Sequence, residues 1–172
     1  MIGRLLAFVV GAAGAVAASQ APGFTLQYMQ NLEGRVAELR TVIDRFDAEI
    51  VRIGYDRASA LEECETATRL LGVFCRGINA DIARYERLSA HQARLVSAED
   101  WVRPLVLARS PERDVTESTL DQFEPALPVT PVGFGYAGGG FVLAWLAASA
   151  VFGVLGAAFR PRRGRRGKIR LT

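Results

Sequence analysis

Between Glu124 and Arg160 the chain carries no charged residue, and Val132 to Phe159 is almost wholly apolar or glycine. As a helix, those 28 residues would extend about 42 Å at about 1.5 Å per residue, and a bilayer core needs about 20 residues. The run is followed at once by seven positive charges, Arg160, Arg162, Arg163, Arg165, Arg166, Lys168 and Arg170, with no acid among them. A core helix of a soluble domain does not combine that length with that flank. Residues 130–159 therefore read as a transmembrane helix, and 160–172 as a basic tail. Thr130 supplies a hydroxyl cap and Pro131 suits the first helical position.

A second uncharged stretch, Leu5 to Ala18, lies behind Arg4. It is shorter, and with Ala15-Val16-Ala17-Ala18-Ser19 it has the look of a secretory signal with a cleavage region. Apolar or neutral residues continue through Ala21, Phe24 and Leu26, so a helix from Ile2 reaches the far interface. The expectation is a retained span, residues 1–26 including its outer end. Small residues recur along both spans. Ala7, Gly11, Ala15 and Ser19 form one row; Gly135 and Gly139 form a G-x-x-x-G pair, and Gly140, Ala144 and Ala148 a parallel row. Such faces let helix backbones approach closely in lipid, within one chain or between chains.

Charge is partitioned along the sequence. All 18 acidic residues fall between Glu33 and Glu124, where 13 arginines leave a net charge of −5. The remaining basic residues are Arg4 and the tail. By the positive-inside rule both termini face the cytoplasm and residues 27–129 lie outside, in the periplasm of a bacterium. The excess of arginine over lysine, 20 to 1, is a coding bias. A nucleic-acid surface would place its basic residues on the folded part, which here is acidic. The tail either adheres to anionic lipid or an acidic partner, at about 1 kcal/mol per basic residue, or only sets topology. Topology alone explains much of the charge.

In the outer segment, Leu32, Val36, Leu39, Ile43, Phe46, Ile50 and Ile53 follow an unbroken heptad seam. They predict one long amphipathic helix, separated from the first span by a break at Pro22-Gly23 and stopped at Gly54. The seam packs either inside its own domain or as a coiled coil between chains. Ser59 and Glu62 have capping-box spacing for a short helix to Leu71, broken by Gly72. A third helix from about Arg76 to Val96 carries Ile78, Ile82, Tyr85, Leu88 and Leu95 on one side. Ser97 and Asp100 cap a further helix bearing Trp101, Leu105 and Val106, and a last one covers about Thr116 to Phe123. No alternating β-branched run predicts a strand, so the fold class is all-α. Cys64 and Cys75, the two cysteines, are a disulfide candidate if Gly72 turns the chain between them; two buried thiols are the alternative.

Chemistry is sparse. The one histidine, His91, sits beside Gln92 and reads as part of a solvated face, so no serine or cysteine has an evident base. Glu62-Glu63-Glu65 and Glu99-Asp100 read as exposed faces. The glycine cluster from Gly133 to Gly140 lacks a phosphate-loop lysine. No C-x-x-C pair suggests a metal, and the spans hold no ionisable residue for an ion path. Neither an enzyme nor a cofactor is expected.

Several segments, in order, resemble a bacterial membrane family catalogued as a domain of unknown function, the 2937 family. They are Ala18-Ser19-Gln20-Ala21-Pro22-Gly23-Phe24, Gln27-Tyr28, Leu32-Glu33-Gly34, Ala83-Arg84-Tyr85-Glu86-Arg87-Leu88, Val106-Leu107-Ala108-Arg109 and Phe123-Glu124-Pro125-Ala126-Leu127-Pro128. The resemblance implies a two-span inner-membrane protein and supplies no activity. The expected role is an accessory or scaffold subunit of a membrane complex. Its partners would be other membrane subunits or copies of itself, with anionic lipid at the tail and no nucleic acid. A self-assembling envelope organiser is the alternative. A sensor would need a cytoplasmic output domain, which the basic tail does not provide.

Overall fold

The computed structural model describes residues 2–125, 127 and 129–158. Its elements are six helices: α1 (Ile2–Arg52), α2 (Arg57–Thr66), α3 (Arg69–Ser97), α4 (Arg103–Arg109), α5 (Arg113–Asp121) and α6 (Pro131–Ala158). The chain divides into two units, one of Met1–Gln20 with Leu127–Thr172 and the other of Ala21–Ala126. The seven basic residues Arg160 to Arg170 lie outside the described residues.

In the first unit, the start of α1 packs antiparallel on α6. Gly3 faces Phe152, Gly11 faces Phe141 and Trp145, and Gly14 lies against Gly140 and Ala144. Phe8 and Phe141 meet edge to face with ring centroids 5.5 Å apart. The closest approach is backbone to backbone: a Cβ on Gly14 would lie 2.8 Å from the Gly140 carbonyl oxygen, and one on Gly140 2.5 Å from that of Gly14. Of the two rows expected on α6, Gly140 and Ala144 make this contact and Ala148 is buried. The G-x-x-x-G pair does not: Gly135 and Gly139 are exposed, and Gly139 has nothing within 4 Å of where a Cβ would stand. On α1, Ala7, Gly11 and Ser19 are buried and Ala15 is half-buried, but the tightest crossing is made by Gly14 and Ala18. A spacing of four marks several parallel rows on a helix rich in Ala and Gly, and only the partner helix selects among them.

The expected break at Pro22-Gly23 does not occur, since α1 runs through it with Pro22 inside. An interior proline removes one helical hydrogen bond and costs about 3 kcal/mol. Continuous helix on either side, anchored by Gly14 before it and by Tyr28 after it, outweighs that cost. The hydroxyls of Ser19 and Thr25 donate back to the carbonyls of Val16 and Ala21, each at 2.7 Å, which satisfies two buried polar side chains. At the other end Gly54 stops α1 as expected, with φ +85°. Gly54 N–H donates to Val51 O (3.1 Å) and Tyr55 N–H to Ile50 O (2.9 Å), the paired bonds of a Schellman cap.

In the second unit, Tyr28 and Leu32 of α1, Leu88 and Leu95 of α3, Leu107 of α4 and Val115 of α5 form the core, with Phe24, Val36 and Leu39 packed against it. The heptad seam is thus the inward face of α1. Leu32, Ile43 and Ile50 are buried, Val36, Leu39 and Phe46 half-buried, and only Ile53 stands 71 % exposed. Each fully buried aliphatic side chain contributes about 1.5–3 kcal/mol.

Three local expectations are corrected. First, α2 is capped by Asp56, whose carboxylate accepts the Ser59 N–H at 2.8 Å and is held below its usual pKa by that bond; Ser59 is not the cap. Second, α2 ends at Thr66 and α3 already contains Gly72. Gly72 is no turn residue. A Cβ there would sit 2.7 Å from the Ala67 carbonyl, so glycine is needed for close approach of the α2–α3 connection, where Arg69 adopts φ +53°. Third, Ser97 ends α3 and caps nothing. Arg103 does the joining: its Nε and Nη2 donate to the Leu95 and Ala98 carbonyls, both at 2.9 Å, while Asp100 lies 2.8 Å from its Nη1.

Cys64 and Cys75 are bonded, with Cα atoms 5.3 Å apart. Closing a loop of 11 residues stabilises by about 2–3 kcal/mol through the unfolded chain. Replacing both with serine is expected to lower the unfolding midpoint of the second unit. Wild type treated with reductant should match the variant, as read by thermal circular dichroism.

Candidate functional site

Three places in the second unit bring chemistry-bearing side chains together. The first is buried. His91 is 1 % exposed and Tyr28 0 %, so the expectation of a solvated histidine is wrong. Leu88, His91 and Leu95 are spaced three and four apart, which puts the imidazole on the same inward stripe as the two leucines. That periodicity was the available signal, and the polar neighbour Gln92 obscured it. Tyr28 Oη and His91 Nε2 share a hydrogen bond of 3.0 Å, their rings meeting edge to face at 5.8 Å. Tyr28 Oη also accepts the Glu112 N–H at 3.0 Å, and Arg94 reaches His91 Nδ1 at 3.4 Å. One phenol thus ties α1 to α3 and to the start of α5.

Burial, then the neighbouring Arg94, pushes the His91 pKa below its ordinary value, with Glu112 opposing weakly. Burial also raises that of Tyr28, against the Glu112 N–H. The site is therefore built for a neutral pair. Because the unfolded chain takes up the His91 proton first, this contribution to stability is complete above about pH 6.5. It declines as pH falls from there toward the lower folded pKa. Chemical unfolding between pH 7.5 and 5 should show that loss, and His91→Leu should reduce the slope over the same window. Both side chains of the pair are buried.

The second place is an apolar cleft of about 440 Å³ near the end of α1, lined by Phe46, Ile50, Ile53, Leu71, Phe74 and the disulfide among others. Tyr55 and Glu63 also line it, and a hydrogen bond to Glu63 raises the Tyr55 pKa. Phe74 remains 68 % exposed. The third is a polar cleft of about 380 Å³, formed by Gln27, Gln30, Asn31 and Arg35 of α1 with Ser118, Thr119 and Gln122 at α5. Neither cleft is legible in the sequence, since each is assembled from separate segments of the chain. Among the described residues no cluster of histidine, cysteine and carboxylate is placed to hold a metal.

These features define a class: an all-helical protein in which two helices, α1 and α6, contain stretches long and apolar enough to cross a membrane. The chain belongs to the family described as protein of unknown function DUF2937, which it matches over residues 2–161. No curated protein and no solved structure matches it.

Proposed function

We propose that this protein is a non-enzymatic subunit of a larger inner-membrane assembly, an accessory or scaffold component. In this reading it crosses the bilayer twice, with both termini cytoplasmic and residues 27–129 periplasmic. The observation that carries the reading is the division of its small-residue faces. Gly14 and Gly140 close the helix pair within the chain, while the Gly135/Gly139 row of α6 and the apolar cleft with Phe74 stay uncovered. Large uncovered apolar surface on an outer domain supports a protein partner.

The same contact supports retention of the first span, because cleavage near Gln20 would strip Gly140 of its partner. The mature protein is expected to begin before Leu5, which N-terminal sequencing of the purified chain decides. Self-assembly is the second reading, and the same uncovered faces favour it. The first half of the heptad seam does not, because Leu32, Val36 and Leu39 are occupied inside their own chain. Purification in mild detergent tests both: different chains co-purifying in fixed ratio support the subunit reading, several copies of this one chain support the second, and a lone monomer removes both.

A further inference from the structure

We propose that the polar cleft between α1 and α5 binds a hydroxyl-bearing monoanion, a polyol phosphodiester such as glycerophosphoglycerol. Its volume, about 380 Å³, lies within the range of small-molecule sites. Its lining differs from an ordinary surface recess, since among the described residues no apolar side chain and no carboxylate contributes to it.

Among the described residues Arg35 supplies the only charge in the lining, and its bonds leave that charge uncancelled. Nε donates to Asn31 Oδ1 at 2.9 Å, and Nη2 to Ser118 Oγ at 2.8 Å and to the Asp114 carbonyl at 3.3 Å. All three acceptors are neutral. Among the described residues no carboxylate pairs with Arg35; Asp114, whose backbone carbonyl Arg35 bonds, has its carboxylate on Arg84. The three bonds use Nε and Nη2 and fix the guanidinium plane, and Nη1 takes no part in them. A fixed guanidinium with a free edge is a preorganised oxyanion donor.

Around that charge stand amide groups. Asn31 is committed, its Nδ2 donating to Ser118 and Thr119. Gln27 gives its Nε2 to the Glu124 carbonyl at 3.2 Å and keeps its carbonyl oxygen. Gln30 and Gln122 are exposed and offer both donors and acceptors. One cation calls for one negative charge, and several carboxamides call for hydroxyls, which both give and accept hydrogen bonds. The donors come from two helices, not from one plane, and that suits a tetrahedral phosphate better than a flat carboxylate.

Such a group could arrive as a free solute or as the headgroup of phosphatidylglycerol, since Gln27 directly follows the outer end of the first span. The test uses the full chain in nanodiscs. In one arm, phosphatidylcholine discs are titrated with glycerophosphoglycerol by calorimetry. In the other, discs of mixed phosphatidylcholine and phosphatidylglycerol are analysed by native mass spectrometry for lipid retained on the protein. Binding of one equivalent is expected in at least one arm, and the arm that responds identifies the source. Arg35→Gln should weaken it about tenfold or more, the loss of a charge-assisted contact, and Gln122→Ala about threefold while leaving the intrachain bonds intact. The proposal is overturned if neither arm shows binding, or if the variants bind as wild type does. Should Arg35→Gln fail to fold by circular dichroism, Gln122→Ala decides alone. The free-solute arm does not depend on any protein partner, so its outcome is separable from that of the proposed function.

Discussion

Protein carrying Gly140→Leu is expected to lose the close crossing of α1 on α6. Any Cβ at position 140 would meet the Gly14 carbonyl oxygen at 2.5 Å, and this obstacle is backbone, which no rotamer change can move aside. The helices must separate by more than a methyl group, and the contacts of Gly11 with Phe141 and Trp145 go with them. Overpacking of this kind costs about 1–3 kcal/mol in water-soluble cores. In lipid the loss of close packing removes much of what holds two helices together. The readout is a cross-link. A Cβ at position 11 would lie 3.0 Å from Trp145 Cβ, so Gly11→Cys with Trp145→Cys should oxidise readily in an otherwise wild-type chain. The yield should fall severalfold when Gly140→Leu is added. Gly139→Leu, one residue away with nothing within 4 Å, should leave it unchanged. Equal yields for both would mean that α1 and α6 do not cross here. Gly139→Leu has a second use: if it spares the cross-link but reduces co-purification of other chains, the uncovered row of α6 is a partner surface.

The other large effect lies in the second unit. Tyr28→Ala removes a ring that is 0 % exposed from the junction of α1, α3 and α5. Truncating a buried aromatic costs about 3–5 kcal/mol, and here His91 and the Glu112 N–H lose a shared partner as well. Against a total stability of about 5–15 kcal/mol for an ordinary domain, the unit should unfold largely or become strongly protease-sensitive near Arg109 to Arg113. Tyr28→Phe isolates the polar part. It keeps the ring and gives up only the hydroxyl, for about 1–3 kcal/mol. Limited proteolysis and urea unfolding of the three forms should rank wild type above Tyr28→Phe above Tyr28→Ala. A Tyr28→Ala protein as stable as wild type would remove Tyr28 from the core.

The helical class, the two apolar helices and the stop at Gly54 were all legible in the sequence. Each is a local property: run length, absence of charge, apolar period, or a residue that accepts positive φ. The inward face of α1 was legible too, because seven apolar positions keep one period from Leu32 to Ile53. Which neighbour covers that face was not a local matter. Tertiary packing decided it within the chain as far as Ile50 and left Ile53 bare.

Only the tertiary structure could separate positions that are alike in sequence. Gly139 and Gly140 are adjacent and identical, yet one faces open space and the other touches a backbone, because the choice belongs to the helix lying opposite. Gly72 reads as a breaker, and becomes a point of close approach once the Ala67 carbonyl is brought to it. His91 beside Gln92 reads as polar surface, and becomes core once Tyr28, 63 residues earlier, supplies the bond that makes burial tolerable. Local sequence fixes what each segment can form. The environment of a glycine, a histidine or an unpaired arginine comes from residues distant in the chain, and is settled only when those segments meet.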